Sequence, residues 1–441
     1  MGARPAVRSN SGHGPGIDAR EVVEEAKPAG GEVRRSVPAL LAGTALLRVG
    51  AAGITVAVQF YLTDLGHGHP RGVVVGFVGA GQALTEMLLA PVMARYADRL
   101  GRKLFVVGGP LVGVLAVLLV AASLNPGEIF GARLLEGIGA AAFMPTALGA
   151  IAAATSHDVR VRANASGAFE AATLAGYAGG FALGPLAYSY LGRGGFLLLA
   201  GFYLLAGLVC LRFVPSVPPL PVTQLSTLVR WIAGPGPMRT FLPAWLGTFG
   251  LIGAYGSHIA SLLSHHHARV AGQVLVGSMG YGTNAVVLVS GIALLVIGIF
   301  IWTPWITRLG PVRQMRRAVP GAWVFSAALL IADHVTLAAL PALLVVAAAG
   351  IVWLSGFGPA AVAFLAACSE SHNADRAALM SFYTATLAAG GALGALLGGV
   401  AVSLAFFDGL VVFGLLLALM TFVLLGPVRR YEPSSLTAPI A

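Results

Sequence analysis

The chain has 441 residues, of which 57% are hydrophobic and only 10% charged, with a mean hydropathy of +0.85. A soluble domain has no use for that much apolar surface, whereas repeated membrane spans of about 20 apolar residues require it. The net charge of +10 does not point to nucleic acid, because the basic residues sit in short connections between apolar runs rather than on one polar face.

Residues 1–36 are polar and rich in Gly, Pro and mixed charge. They lack the basic start, apolar stretch and cleavage site of a secretory signal, so a flexible cytoplasmic tail is expected. Twelve apolar segments follow, at 38–64, 72–94, 104–123, 128–154, 163–190, 194–214, 240–264, 281–303, 318–333, 337–367, 377–404 and 408–427. They predict an all-α polytopic membrane protein with twelve transmembrane helices: a six-helix half over 37–214, a proline-rich connector at 215–238, a second half over 239–428 and a tail at 429–441. With the N-terminus inside, fifteen Lys and Arg fall on the cytoplasmic side, and only Arg71, Arg193 and Arg269 fall outside. Lys and Arg resist translocation, so both termini are expected in the cytoplasm of a cell-membrane protein. Cys210 and Cys368 lie in or at the ends of apolar runs, and no disulfide is expected.

The two halves repeat. Asp98-Arg-Leu-Gly-Arg returns as Thr307-Arg-Leu-Gly-Pro, and Arg162, Gly176, Gly180 and Gly184 align with Arg376, Gly390, Gly394 and Gly398. Pseudo-symmetric six-helix halves are the architecture of a rocking transporter.

The connection from Ala94 to Lys103 carries five charges in ten residues. Gly101 permits a tight turn, Asp98 can accept hydrogen bonds from the start of a nearby helix, and Arg102 can bridge to a carboxylate. This stretch resembles the signature between helices 2 and 3 of the major facilitator superfamily, Gly-x-x-x-Asp-Arg-x-Gly-Arg-Arg/Lys. It matches at Asp98, Arg99, Gly101, Arg102 and Lys103 and departs at Ala94. The resemblance implies that Asp98, Arg99, Gly101 and Arg102 belong to a gate, with Asp98 meeting the start of segment 11 near Arg376 and Ala377.

Charge inside a span is costly unless paired or facing water, which singles out Arg48, Glu86, Arg133, Glu136 and Glu170, all in the first half. Arg133-Leu-Leu-Glu136-Gly-Ile-Gly139 resembles the segment 4 motif of proton-coupled members of the same superfamily. Arg133 and Glu136 are three residues apart and share a helical face. A guanidinium keeps a neighbouring carboxylate ionised while desolvation favours the neutral acid, so a site alternating between those conditions can load and release a proton. Glu136 is therefore the first candidate proton carrier, Glu170 the reserve, and Glu86 a further one; a static ion pair is the competing account. Gly137 and Gly139 are expected to leave room for water beside Glu136.

Gly180-Phe-Ala-Leu-Gly184-Pro185 resembles the core of the antiporter motif, which implies export; ordinary small-residue packing explains the same spacing. Arg48, mid-span, is expected to face a cavity and pair with Glu86, Glu136 or an anionic substrate group. Tyr255 and Trp353 lie in segments 7 and 10, which line the cavity in that superfamily, and are candidates to stack on substrate.

No phosphate-cradling or zinc-protease motif is present, and the run His265–His267 is not expected to bind a metal. The sequence thus predicts a monomeric, non-enzymatic, proton-coupled exporter of a small amphipathic molecule, working within the lipid bilayer without cofactor, metal or nucleic acid. An uptake permease and a lipid or glycolipid transporter are the alternatives within transport; a polytopic enzyme or a degenerate-transporter receptor are those outside it.

Overall fold

The structure, a computed structural model, describes residues 36–155, 159–216, 234, 236–336, 338–370 and 376–432. Most of the expected tails and of the connector lies outside them.

The first half is α1 (Val37–Leu65), α2 (Gly72–Leu100), α3 (Arg102–Ala122), α4 (Pro126–Ala154), α5 (Val159–Leu191) and α6 (Gly195–Phe213). The second half opens with α7 (Pro237–Leu263) and α8 (Tyr281–Trp302). Next come α9, which runs as Pro311–Ala318 and then Pro320–Ala332, and α10, which runs as Leu340–Leu354 and Phe357–Glu370. A final helical stretch, Arg376–Val428, is interrupted at Ala405 and Phe406, whose backbone leaves the helical region, so it counts as α11 (376–404) and α12 (407–428).

Nine stretches among the described residues are long and apolar enough to cross a membrane. Two of them, Gly167–Phe213 and Thr384–Tyr431, each hold two helices, and α9, bent at Pro320, supplies the twelfth crossing.

The expected loop at 94–103 is almost entirely helix. α2 continues through its charged last turns to Leu100, and α3 begins at Arg102. Only Gly101 turns the chain, with φ +99°, a conformation that costs a residue without Cβ little. Its counterpart Gly310, at φ +79°, turns the chain into α9, where Pro311 takes the first-turn position that needs no N–H donor. α4 starts where the Asn125 side chain accepts from Glu128 N at 3.0 Å while Glu128 Oε2 accepts from Leu124 N at 2.7 Å.

The glycine repeat has a structural counterpart. On α5, a Cβ at Gly176, Gly180 or Gly184 would strike Ala45 O and Arg48, Val49 O, or Gly53 O of α1. On α11, a Cβ at Gly390, Gly394 or Gly398 would meet Phe249, Gly250 O, or Ala254 of α7. Each half uses one glycine stripe to bring its fifth helix against its first.

Each half has its own apolar core, one around Leu47, Phe60, Phe143 and Tyr203, the other around Phe241, Trp245, Phe364 and Phe407. A small third cluster, Ala80 with Ala392 and Ala395, joins α2 to α11. Leu115 on α3, Leu208 on α6, Phe300 on α8 and Leu416 on α12 are exposed, as suits helices facing lipid tails.

Hydrogen bonds joining the halves cluster at the end of the bundle that carries His266. Gln59 Nε2 donates to Gly256 O at 2.8 Å and Ser261 N donates to Gln59 Oε1 at 3.2 Å. The hydroxyls of Thr63 and Ser261 lie 2.7 Å apart, and Ala268 N donates to Gly68 O at 2.8 Å.

Candidate functional site

α1 and α4 are among the most enclosed helices of the bundle, so the polar residues they carry must find partners inside it. Glycines set the distances. Gly81 lies against the Arg133 Cβ and Gly137 against Gln82 O, so α2 and α4 touch along their backbones. Gly50 and Gly113 form a slot for the Tyr203 ring, which lets its hydroxyl reach α4 from α6.

The result is a closed polar network around Arg133 and Glu136, which are 2% and 1% exposed. Arg133 Nη1 pairs directly with Glu136 Oε2. Arg133 Nη2 donates to Gln82 Oε1 at 3.0 Å and to Thr55 Oγ1 at 3.1 Å. Tyr203 donates to Glu136 Oε1 at 2.6 Å. Both carboxylate oxygens are thus occupied, and four helices are tied together.

The second pair is looser. Arg48 Nη2 lies 3.9 Å from Glu86 Oε1, an ion-pair distance too long for a good hydrogen bond. The guanidinium stands over the Tyr177 ring at 5.3 Å, and its Nε is buried with no hydrogen-bond partner. A cation held by one distant carboxylate and one aromatic face retains free donor capacity for another group. Arg48 therefore pairs with Glu86 and not with Glu136, which Arg133 and Tyr203 already hold. Glu170 is exposed on α5, within electrostatic reach of Arg48.

Other expected site residues lie elsewhere. Tyr255 is buried in the second half, its hydroxyl 2.9 Å from Ser326 Oγ and its ring edge-on to Phe325. Trp353 is half-exposed and donates to Arg317 O at 2.7 Å, beside an open, largely apolar pocket of about 810 Å³ that Trp302, Arg316 and Phe422 also line. Neither is brought to the charged cluster. The room for water expected at Gly137 and Gly139 is filled by Gln82 O and Gly109 O. Gly180 and Gly184 seat α5 on α1, with Pro185 inside the helix.

At the gate residues, Arg102 Nε donates to Asp98 Oδ1 at 2.9 Å and Arg102 Nη1 to Gly149 O at 3.2 Å, while Arg99 is exposed at the end of α2. The side chains at 376 and 377 lie outside the described residues. At the opposite end His266 Nδ1 lies 2.6 Å from Asp64 Oδ1, and Tyr188 donates to Asp64 Oδ2 at 2.6 Å.

Gln82, Thr55, Tyr203 and Tyr177 were not singled out in the sequence, nor were Asp64 and His266 as a pair. Gln59 and Gln82, polar amides within apolar spans, carried a signal that charge alone overlooked.

Two six-helix halves, the first holding two buried ion pairs, make up an α-helical polytopic membrane fold. The chain belongs to the Major Facilitator Superfamily, whose sequence profile matches residues 39–372. It is 27% identical over 228 residues to Multidrug resistance protein 1 of Bacillus subtilis (strain 168), covering 51% of this chain and 58% of that protein. It is 40% identical over 111 residues to the Methylenomycin A resistance protein of the same organism, 25% of this chain and 23% of that one. The matches thus span less than two thirds of these relatives. In fold it is similar to the nucleoside transporter NupG (TM-score 0.70, 13% identity, 89% of this chain and 98% of that one). It is equally similar to a bacterial homologue of the human lysosomal transporter Spinster in an inward-facing, unoccupied conformation (TM-score 0.69, 15% identity, 92% and 99%).

Proposed function

We propose that this chain is a monomeric secondary transporter of the cell membrane, with both termini cytoplasmic, that exports a small amphipathic compound in exchange for protons. Similarity to proteins named for multidrug and antibiotic resistance supports export. The excess of Lys and Arg at the Asp98 end supports placing that end in the cytoplasm.

The observation that carries the coupling proposal is the contrast between the two buried ion pairs. Arg133, Glu136 and Tyr203 form a satisfied network, whose disruption would leave charge uncompensated in a dry interior. Arg48 and Glu86 stand at 3.9 Å with donor capacity to spare. Glu86, rather than Glu136, is then the group that exchanges a proton, and Arg48 is the cation released when Glu86 becomes neutral. Substrate and proton compete for this loosened pair: a proton on Glu86 favours one orientation of the halves, substrate the other. The hydrogen bonds at the His266 end correspond to a transporter shut toward the outside. In the opposite orientation Asp98 exchanges Arg102 for the first turn of α11, where helix N–H groups point outward.

The test is proton flux in proteoliposomes as amphipathic compounds are added against a set pH gradient. Glu86→Gln should abolish substrate-linked proton movement while passive counterflow persists. If Glu136→Gln alone uncouples the protein, the carrier is Glu136. If neither variant changes proton flux, the chain is a uniporter or couples to another ion.

A further inference from the structure

Asp333, His334 and Asp408 lie at the His266 end of the second half, away from both ion pairs. Asp333 follows α9 and is completely buried; Asp408 begins α12 just after the backbone break at Ala405 and Phe406. One ligand atom from each of the three lies within 4.8 Å of the other two.

Three details separate this from an ordinary acidic patch. Asp333 Oδ1 accepts from Leu275 N at 2.6 Å, but its Oδ2 is buried with no hydrogen-bond partner. A buried carboxylate oxygen left bare is costly, and a cation is one of few groups that could satisfy it. His334 Nδ1 lies 2.8 Å from Gly272 O, where an Nδ1–H donates; Nε2, which faces Asp408, is the nitrogen at which a cation would take the place of a proton. That Nε2 lies 3.0 and 3.1 Å from the two Asp408 oxygens, the separation of neighbouring ligands around one small ion. The two carboxylates would neutralise a dication, and one imidazole with two carboxylates suits zinc-like ions better than calcium or magnesium, which prefer all-oxygen shells.

We propose that Asp333, His334 and Asp408 bind a first-row divalent cation of the zinc type, which ties the end of α9 to the start of α12. Three protein ligands leave a further position for water. The 264–280 connection is fastened to the same place, since Val274 N donates to Asp333 O at 2.8 Å and Leu275 N to Asp333 Oδ1. The ion would hold the second half together where its helical backbone breaks at Ala405 and Phe406.

The test uses full-length protein purified in detergent without a histidine tag and stripped with chelator. Zn²⁺ titration followed by calorimetry and bound-metal analysis should give one tight site, and Zn²⁺ should raise the unfolding midpoint by several degrees. His334→Ala and Asp408→Asn should each weaken that site at least tenfold and remove the thermal shift. A control variant with His265→Ala and His266→Ala should keep both. Co²⁺ gives an independent readout: its visible absorption should be present in the wild type and lost in His334→Asn, a milder change that keeps a polar side chain. No stoichiometric uptake by the wild type would overturn the proposal. So would uptake that survives in His334→Ala and Asp408→Asn but disappears in the control variant, which would assign the ion to His265 and His266.

Discussion

His266 Nδ1 and Asp64 Oδ1 meet at 2.6 Å although 202 residues separate them, and they belong to opposite halves of the bundle. The pair is solvent-accessible, so it contributes no more than a surface ion pair, up to about 1 kcal/mol. Asp64→Asn should therefore shift the two halves toward opening at this end by up to about fivefold, without unfolding the protein. Spin labels at Arg71→Cys and Arg269→Cys would report this as a larger long-distance population. An unchanged distance distribution would remove the pair from the gate.

Tyr203→Phe takes one donor from Glu136 and leaves the ring in its slot between Gly50 and Gly113. A hydrogen bond to a buried charged group contributes about 1.5–3 kcal/mol. A drop of that size in stability is expected by denaturant unfolding in detergent, with coupling to protons retained. Uncoupling of proton and substrate flux at normal stability would instead place Tyr203 in the transfer path.

The two glycine stripes make a graded prediction. A Cβ at Gly394 falls on Gly250 O, a backbone atom that cannot step aside, whereas a Cβ at Gly398 meets the Ala254 Cβ at 3.1 Å. Gly394→Ala should thus cost more than Gly398→Ala, with overpacking of about 1–3 kcal/mol at the former. Thermal unfolding of the two variants side by side checks the order; equal midpoints would mean that α7 and α11 separate easily.

Asp98→Asn removes the acceptor charge that Arg102 holds in this state and that α11 would meet in the other. Transport should fall at least tenfold at wild-type expression, and inward-facing protein should accumulate. Counterflow at matched protein density, with the same spin-label pair, separates this from misfolding; normal transport would dismiss the gate role.

What was legible in the sequence follows how local each relationship is. The twelve crossings were readable because apolar length and basic connections are properties of contiguous residues. Arg133 and Glu136 could be paired because three residues on a helix amount to nearly a full turn. The turn at Gly101 was readable for a similar reason, although the flanking residues proved to be helix. Tyr203, 67 residues from Glu136, could not be placed, since a tyrosine in an apolar segment looks the same whether it packs or donates. Tyr255 and Trp353 show the same limit in the opposite sense. They occupy the expected helices, but the face each presents depends on helix rotation: the Tyr255 hydroxyl found Ser326 and the Trp353 indole found Arg317 O.

The joint between α2 and α11 is centred on Ala80, Ala392 and Ala395, with Gly72 and Gly76 against Gly399. At its centre methyl groups and backbone face one another, while Leu84 and Leu396 pack only against its margin, so little must be displaced before one helix rolls across the other. Methyl groups sliding over backbone lose and regain dispersion contacts in small steps. The activation barrier to tilting the halves then resides in the polar fastenings at the His266 end rather than at this fulcrum. Bulky aliphatic residues introduced at Ala80 or Ala395 would act as a brake, slowing interconversion whichever orientation they left favoured.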